Sequence, residues 1–145
     1  MAYLLDTNHC IYFINGLEKR PERRKPEETN VIQSILSLTD PKVYFSEATL
    51  GELYFGVARS EKKPQGLEKI AFLKRLFEPI RVDEGIWRQF GETLSELRRA
   101  GTPLSDRDLL IACTAKVRNH TLVTNDSDFD LLPDGFVTCG NWART

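Results

Sequence analysis

Soft-metal and thiol chemistry has little to work with in this chain: 145 residues carry two histidines, three cysteines and one methionine. Cys10, Cys113 and Cys139 have no paired or ligand-like spacing, which speaks against a zinc site and against a disulfide framework. Cys10 and Cys113 lie in apolar helical runs and read as buried thiols, so a reducing compartment is expected. His9 and His120 are far apart, and His120 follows an asparagine in what reads as a turn. No glycine-rich phosphate loop follows any strand, and no serine sits in a nucleophile elbow, so P-loop, dinucleotide and serine-hydrolase chemistry are all unsupported. No apolar run approaches membrane-spanning length, and the first residues enter a strand with no room for a signal peptide. A cytoplasmic protein with no membrane association is the expectation. A strong excess of either charge is also missing, the net charge being −1.

What is present is ordinary in amount: 41% hydrophobic and 28% charged residues, enough for one self-sufficient domain over residues 1–145. Basic pairs and triplets occur at Lys19-Arg20, Arg23-Arg24-Lys25, Lys62-Lys63 and Arg98-Arg99. Glu18, Glu22, Glu27, Glu28 and Glu61 dilute them, so they read as solvated faces rather than as a phosphate-binding patch.

Strand and helix patterns alternate along the chain. Tyr3-Leu4-Leu5 reads as the first strand, followed by a helix with Ile11 and Ile14 on one face and Gly16 as its stop. Residues 18–29 read as a charged loop, and Val31, Ile32, Ile35 and Leu36 as a second helix closed by a turn at Asp40-Pro41. Val43-Tyr44-Phe45 is the second strand. Ser46 caps a helix whose face carries Leu50, Leu53, Tyr54 and Val57. A loop at residues 63–66, a helix through Ile70, Leu73 and Phe77, and a strand at Ile80-Arg81-Val82 come next. The helix from about Ile86 to Ala100 ends at Gly101. Another starts at Ser105 and is apolar almost all round, so it should be central. Residues 121–124 form a strong strand and Phe136-Val137-Thr138 a weak last one. This order predicts an α/β fold, a mainly parallel sheet of about five strands flanked by helices.

Acids stand where such a sheet gathers ligands, outside the carboxyl ends of its strands. Asp6 directly follows the first strand and is either a helix N-cap or part of a site. Asp108, three residues after Ser105, resembles a capping-box partner, yet it also begins the most buried helix. Asp106 should face water. Glu52 falls opposite the Leu50/Leu53/Tyr54/Val57 stripe, where an exposed glutamate is the default. Asp126 and Asp128 share a run, Asn125-Asp126-Ser127-Asp128, that is good turn chemistry by itself. Taken as one cluster, these carboxylates raise one another's pKa unless a cation lies between them. An oxygen-only set suits Mg²⁺ or Mn²⁺, ions that polarise phosphoryl oxygens and activate water.

Four blocks resemble a known family: Leu4-Leu5-Asp6-Thr7-Asn8; residues 49–57, Thr-Leu-Gly-Glu-Leu-Tyr-Phe-Gly-Val; Gly101-Thr102-Pro103-Leu104 with Asp108-Leu109-Leu110-Ile111-Ala112; and Leu122-Val123-Thr124-Asn125-Asp126. In this order, with Asn141-Trp142 at the end, they resemble the PIN-domain ribonucleases and among them the VapC toxins. The resemblance implies a Mg²⁺- or Mn²⁺-dependent endoribonuclease leaving a 5′-phosphate and a 3′-hydroxyl. Its acids fall on Asp6, Glu52, Asp108 and Asp126, with Asp128 as the alternative or supporting fourth ligand. By the same resemblance Asp6, Asp108 and Asp126 hold one metal, while Glu52 holds a second or orients the attacking water. Thr7, Asn8 and Thr124 match polar positions that line the family's site and are expected to hydrogen-bond the carboxylates or metal-held water. The resemblance further implies a homodimer, a VapB-like antitoxin whose C-terminal segment crosses the groove, and operator DNA bound only through that antitoxin. Tyr12 and Phe13 are candidate interface residues, with ordinary core as their plainer reading. Two other classes stay open: an inert PIN-like module that only binds RNA or protein, and an Asp-based phosphotransfer domain. For the second, a dehalogenase-type motif wants an acid at Asn8, and a receiver wants a lysine after the late strand.

Overall fold

Leu4 and Leu5 are both wholly buried, and because successive residues of a strand face opposite ways they seed two cores. Their strand, β1 (Ala2–Leu5), is the middle of a five-stranded parallel sheet in the order β3-β2-β1-β4-β5. β2 (Lys42–Ser46) and β4 (Thr121–Val123) flank it, and β3 (Glu78–Ile80) and β5 (Cys139–Gly140) form the edges. The computed structural model describes residues 1–40 and 42–144. Pro41, and with it the expected Asp40-Pro41 turn, lies outside the described residues, as does Thr145.

Helices cover both faces, as parallel strands require. Leu4 packs with Ile86, Leu97, Leu109 and Leu122 beneath α5 (Glu84–Arg99) and α6 (Asp106–Arg118). Leu5 packs with Phe13, Val31, Phe45 and Leu73 beneath α1 (Thr7–Glu18), α2 (Pro26–Leu36) and α4 (Lys63–Leu76). α3 (Glu47–Ala58) leaves the end of β2, capped by the Ser46 hydroxyl. α6 is the most buried helix, as its composition predicts, and Asn119 closes it in the left-handed conformation at φ 56°. The chain fills one side of β1 through β2 and β3, then returns to the other side with β4. The carboxyl ends of β1 and β4 therefore form the switch point where such sheets bind ligands. Among the described residues no helix is long and apolar enough to cross a membrane.

Several local expectations need correction. Gly16 does not stop α1, which runs on to Glu18. Its role is close packing, since a Cβ there would lie 2.7 Å from Ile32 Cδ1 and 3.0 Å from Glu28 Cβ on α2. The stretch 18–29 is not all loop: Pro21–Arg23 makes a 3-10 turn, and α2 starts at Pro26. Residues 63–66 are the first turn of α4. Both misreadings took proline as a breaker, whereas at a helix start its missing N–H costs nothing. β3 lies two residues earlier than expected and β5 follows the predicted 136–138 run, fixed by the bonds from Leu122 N to Thr138 O and from Thr124 N to Gly140 O, both 2.8 Å. Phe13 is core and Tyr12 half-buried, while on α3 Tyr54 is 45% exposed.

Candidate active site

Asp6 takes the N-cap of α1 where the chain leaves β1, and its own N–H bonds Val123 O on β4 at 3.0 Å. Its carboxylate is buried and held from three sides. Oδ1 accepts from the His9 backbone N–H at 2.8 Å and lies 2.9 Å from His9 Nδ1. Oδ2 accepts from the Thr124 hydroxyl at 2.6 Å. That hydroxyl in turn accepts from Asp126 N at 3.0 Å, so Thr124 links the two strand-end acids.

Glu52 reaches the same place from α3. Its side chain is 21% exposed, not out in solvent as the periodicity alone suggests. Thr7 donates to Oε1 at 2.9 Å and shares a 3.1 Å contact with the buried Thr49, one turn before Glu52. The other oxygen lies 3.8 Å from Arg107 Nη1.

Asp108 lies in the first turn of α6, where its N–H donates to the Ser105 hydroxyl at 3.2 Å. Burial pushes its carboxyl above the ordinary aspartate range, against the pull of Ser105, and the charges of Asp126, Glu52 and Asp128 push it further. Asp106 is exposed and sits 3.8 Å from Arg98. Asp126 caps a 3-10 turn (Ser127–Leu131) by accepting from Asp128 N at 2.9 Å.

Asp6, Glu52, Asp108 and Asp126 thus share one cleft of about 210 Å³ with Thr7, Asn8 and Arg107. Thr124 stands behind Asp6 and orients it. Among the described residues Asp108, Asp126 and Asp128 form a group, each offering an oxygen within 4.8 Å of the others. Three clustered carboxylates and the elevated Asp108 fit a hard divalent cation, whose charge offsets the repulsion.

Two residues escaped the sequence reading. His9 is wholly buried behind Asp6; Trp142 N–H donates to its Nε2 at 3.3 Å, which leaves the ring proton on Nδ1 to bond Asp6. Its i,i+3 spacing from Asp6 was the available signal. Among the described residues Arg107 is the one cationic side chain lining the cleft, and nothing in its local sequence separates it from a solvated arginine. Cys10 lies fully buried nearby, and burial, with the Asp6 and Glu52 charges, pushes its thiol well above its usual range, so it offers no thiolate.

The chain resembles known proteins over nearly all its length. The family profile described as PIN domain matches residues 3–134. The protein named ribonuclease VapC2 of Rickettsia felis is 36% identical over 99% of this chain and 100% of its own length. The one named tRNA(fMet)-specific endonuclease VapC of Salmonella typhimurium is 31% identical over 92% of this chain and 93% of its own. Among solved structures, that of VapBC2 from Rickettsia felis bound to a promoter DNA fragment contains a similar chain, with a TM-score of 0.79 at 31% identity, covering 98% of this chain and 99% of that one. With the profile covering β1 to β4 and every acid of the cleft, and VapC relatives matching over nearly their whole length, the chain belongs to the PIN-domain family, in its VapC branch.

Proposed function

We propose that this protein is a Mg²⁺- or Mn²⁺-dependent endoribonuclease, the toxin of a toxin–antitoxin pair, and that the whole of residues 1–145 forms its single domain. The observation that carries the reading is the convergence of Asp6, Glu52, Asp108 and Asp126, from four separate elements, on one cleft at the switch point of the sheet. In this reading Asp6, Asp108 and Asp126 are the metal ligands, with Asp128 in support. A divalent cation held there supplies positive charge against the scissile phosphate and acidifies a water for attack. Thr124 and His9 fix the Asp6 carboxylate, each through a hydrogen bond to a different oxygen. Thr7 anchors Glu52 through Oε1, which leaves Oε2 to orient the attacking water. Hydrolysis leaves a 5′-phosphate and a 3′-hydroxyl.

The partners follow the same reading: RNA as substrate, a VapB-like antitoxin, operator DNA reached only through that antitoxin, and a second copy of this chain. Solved relatives described as VapBC complexes, from Rickettsia felis and Haemophilus influenzae, the first bound to a promoter DNA fragment, support an antitoxin partner. Tyr54 and Phe55 on α3, 45% and 56% exposed, support a protein contact there. A cytoplasmic location belongs to the proposal too, and three unpaired thiols are in keeping with it.

The deciding experiment incubates purified protein with tRNA, rRNA and mRNA in Mg²⁺, Mn²⁺ or EDTA, beside Asp6→Asn. Metal-dependent cuts that disappear in the variant are the expected result. Equal cleavage by a folded Asp6→Asn protein, or in EDTA, overturns it.

A further inference from the structure

The acid cleft does not end at Asp126. Asp126 and Phe129 also line a second groove, of about 270 Å³, that continues over the carboxyl ends of β4 and β5. Its polar walls include Asn125, Asp130, Asn141 and Arg144. Nothing in the proposed chemistry uses these four side chains. Asn125 donates through Nδ2 to the Tyr12 hydroxyl at 3.1 Å, which leaves its carbonyl oxygen as an acceptor. Asn141 accepts through Oδ1 from Ala143 N at 2.8 Å, which leaves its amide hydrogens as donors. Asp130 and Arg144 have no ion-pair partner among the described residues, and both are exposed.

We propose that this groove is a base-reading subsite for the nucleotide that flanks the scissile phosphate, and that Asp130 selects a base bearing an exocyclic amino group. The proposal rests on the ribonuclease reading above. Beyond the metal-ligand Asp126, one carboxylate, Asp130, against one guanidinium, Arg144, leaves the groove with no surplus of positive charge, so it does not hold a phosphate in its middle. A neutral planar group with donors and acceptors along one edge fits better, and an unstacked RNA base is that group. The volume lies just under the roughly 300 Å³ at which small-ligand sites begin, room for a single base with its ribose. A carboxylate accepts from the amino group of cytosine, and equally from adenine or guanine, while uracil has none to give. Arg144 is then the contact to the neighbouring phosphate.

The test cleaves an RNA pool randomised on both sides of the cut and maps the ends, comparing the wild type with Asp130→Asn and Arg144→Gln. The wild type should disfavour uridine at one position beside the cut by about tenfold, the scale of one polar contact to a base edge. Asp130→Asn should erase that bias at that position alone. Arg144→Gln should raise KM with kcat unchanged, and Mn²⁺ affinity should stay at the wild-type value in both. Cleavage patterns and KM identical to the wild type in both variants overturn the subsite. So does a weakened grip on the antitoxin with site choice unchanged, which assigns the groove to a protein partner. If the wild type cuts no RNA, the ribonuclease reading fails, and titration with the four nucleoside 5′-monophosphates decides the groove separately. Shifts of the Asn125 and Asn141 side-chain amide resonances, weakest with the uridine nucleotide and lost in Asp130→Asn, support it; no shifts overturn it.

Discussion

Thr124→Val removes one hydroxyl and keeps the shape of the side chain, so its consequences follow from two bonds. The hydroxyl donates to Asp6 Oδ2 at 2.6 Å and accepts from Asp126 N at 3.0 Å, at a site only 7% exposed. A hydrogen bond to a charged group contributes about 1.5–3 kcal/mol, and an N–H left without a partner costs about 1–3 kcal/mol. Asp126 is half-buried, so water replaces part of the second loss. A net destabilisation of about 2–3 kcal/mol is expected, a fall in Tm of about 5–10 °C for a chain of this size. The functional effect should be larger than stability alone accounts for. Freed of Thr124, the Asp6 carboxylate turns about its bond while Oδ1 stays on His9, and loss of such a support to a ligand costs about 10–100-fold in metal affinity or activity. Thermal melts in EDTA, calorimetric titration with Mn²⁺ and RNA cleavage on the same preparations separate the two effects, and Thr124→Ser should restore both. A Thr124→Val protein that melts lower yet binds Mn²⁺ and cleaves like the wild type refutes the orienting role and leaves Thr124 as a strut between β1 and β4.

Two further perturbations probe the site and its support. In EDTA, Asp108→Asn should raise Tm by about 1–3 °C at neutral pH while abolishing cleavage, the gain kept small because Asp108 is only half-buried. Because the native pKa of Asp108 is raised, its contribution to stability is fully present below the ordinary aspartate range and is lost as pH rises through the elevated value. The advantage of the variant must therefore grow with pH, and an advantage that shrinks contradicts the assignment. Gly16→Ala should cost about 1–3 kcal/mol by overpacking α1 against α2, since Glu28 Cβ at 3.0 Å cannot swing away as the end of Ile32 can. Urea unfolding measures it, and a neutral outcome shows that the two helices separate freely.

The sheet was legible because each strand is a short apolar run followed by a helical period, and that alternation is local. Its edges were not. Cys139-Gly140 is too short to show a strand's alternation, and it pairs with β4 because Leu122 and Thr124 offer N–H groups to that side. Gly16 carries the usual signal of a helix end, and only the approach of Ile32 from another helix gives it a different meaning. Within the cleft, the strand-end acids could be suspected from position and Glu52 from the family resemblance. Arg107 and the grouping of Asp128 with Asp108 depend on which side of α6 meets the turn after β4, a tertiary fact that no local pattern encodes. His9 was passed over as a lone histidine because its second partner, Trp142 N, lies 133 residues away.

The choice between helix cap and site, open for Asp6 in the sequence, dissolves once its two oxygens are taken apart. Oδ1 serves the fold, accepting from His9 N as an N-cap does, and Oδ2 lies beside Thr124 with a lone pair still free. Asp126 likewise serves the fold through Oδ1, which caps the turn by accepting from Asp128 N, and it belongs to the cluster with Asp108 and Asp128. Asp108 reaches the cleft by another route, its N–H donating to the Ser105 hydroxyl that caps α6. The Asp6 and Asp126 carboxylates are each held by a bond that a structural role already explains, with acceptor capacity left over that the fold does not need. Caps at helix and turn starts are thus what set these carboxylates around one cleft in place. Asp108 is where that arrangement strains most, its pKa raised first by burial and then by the charges of Asp126, Glu52 and Asp128.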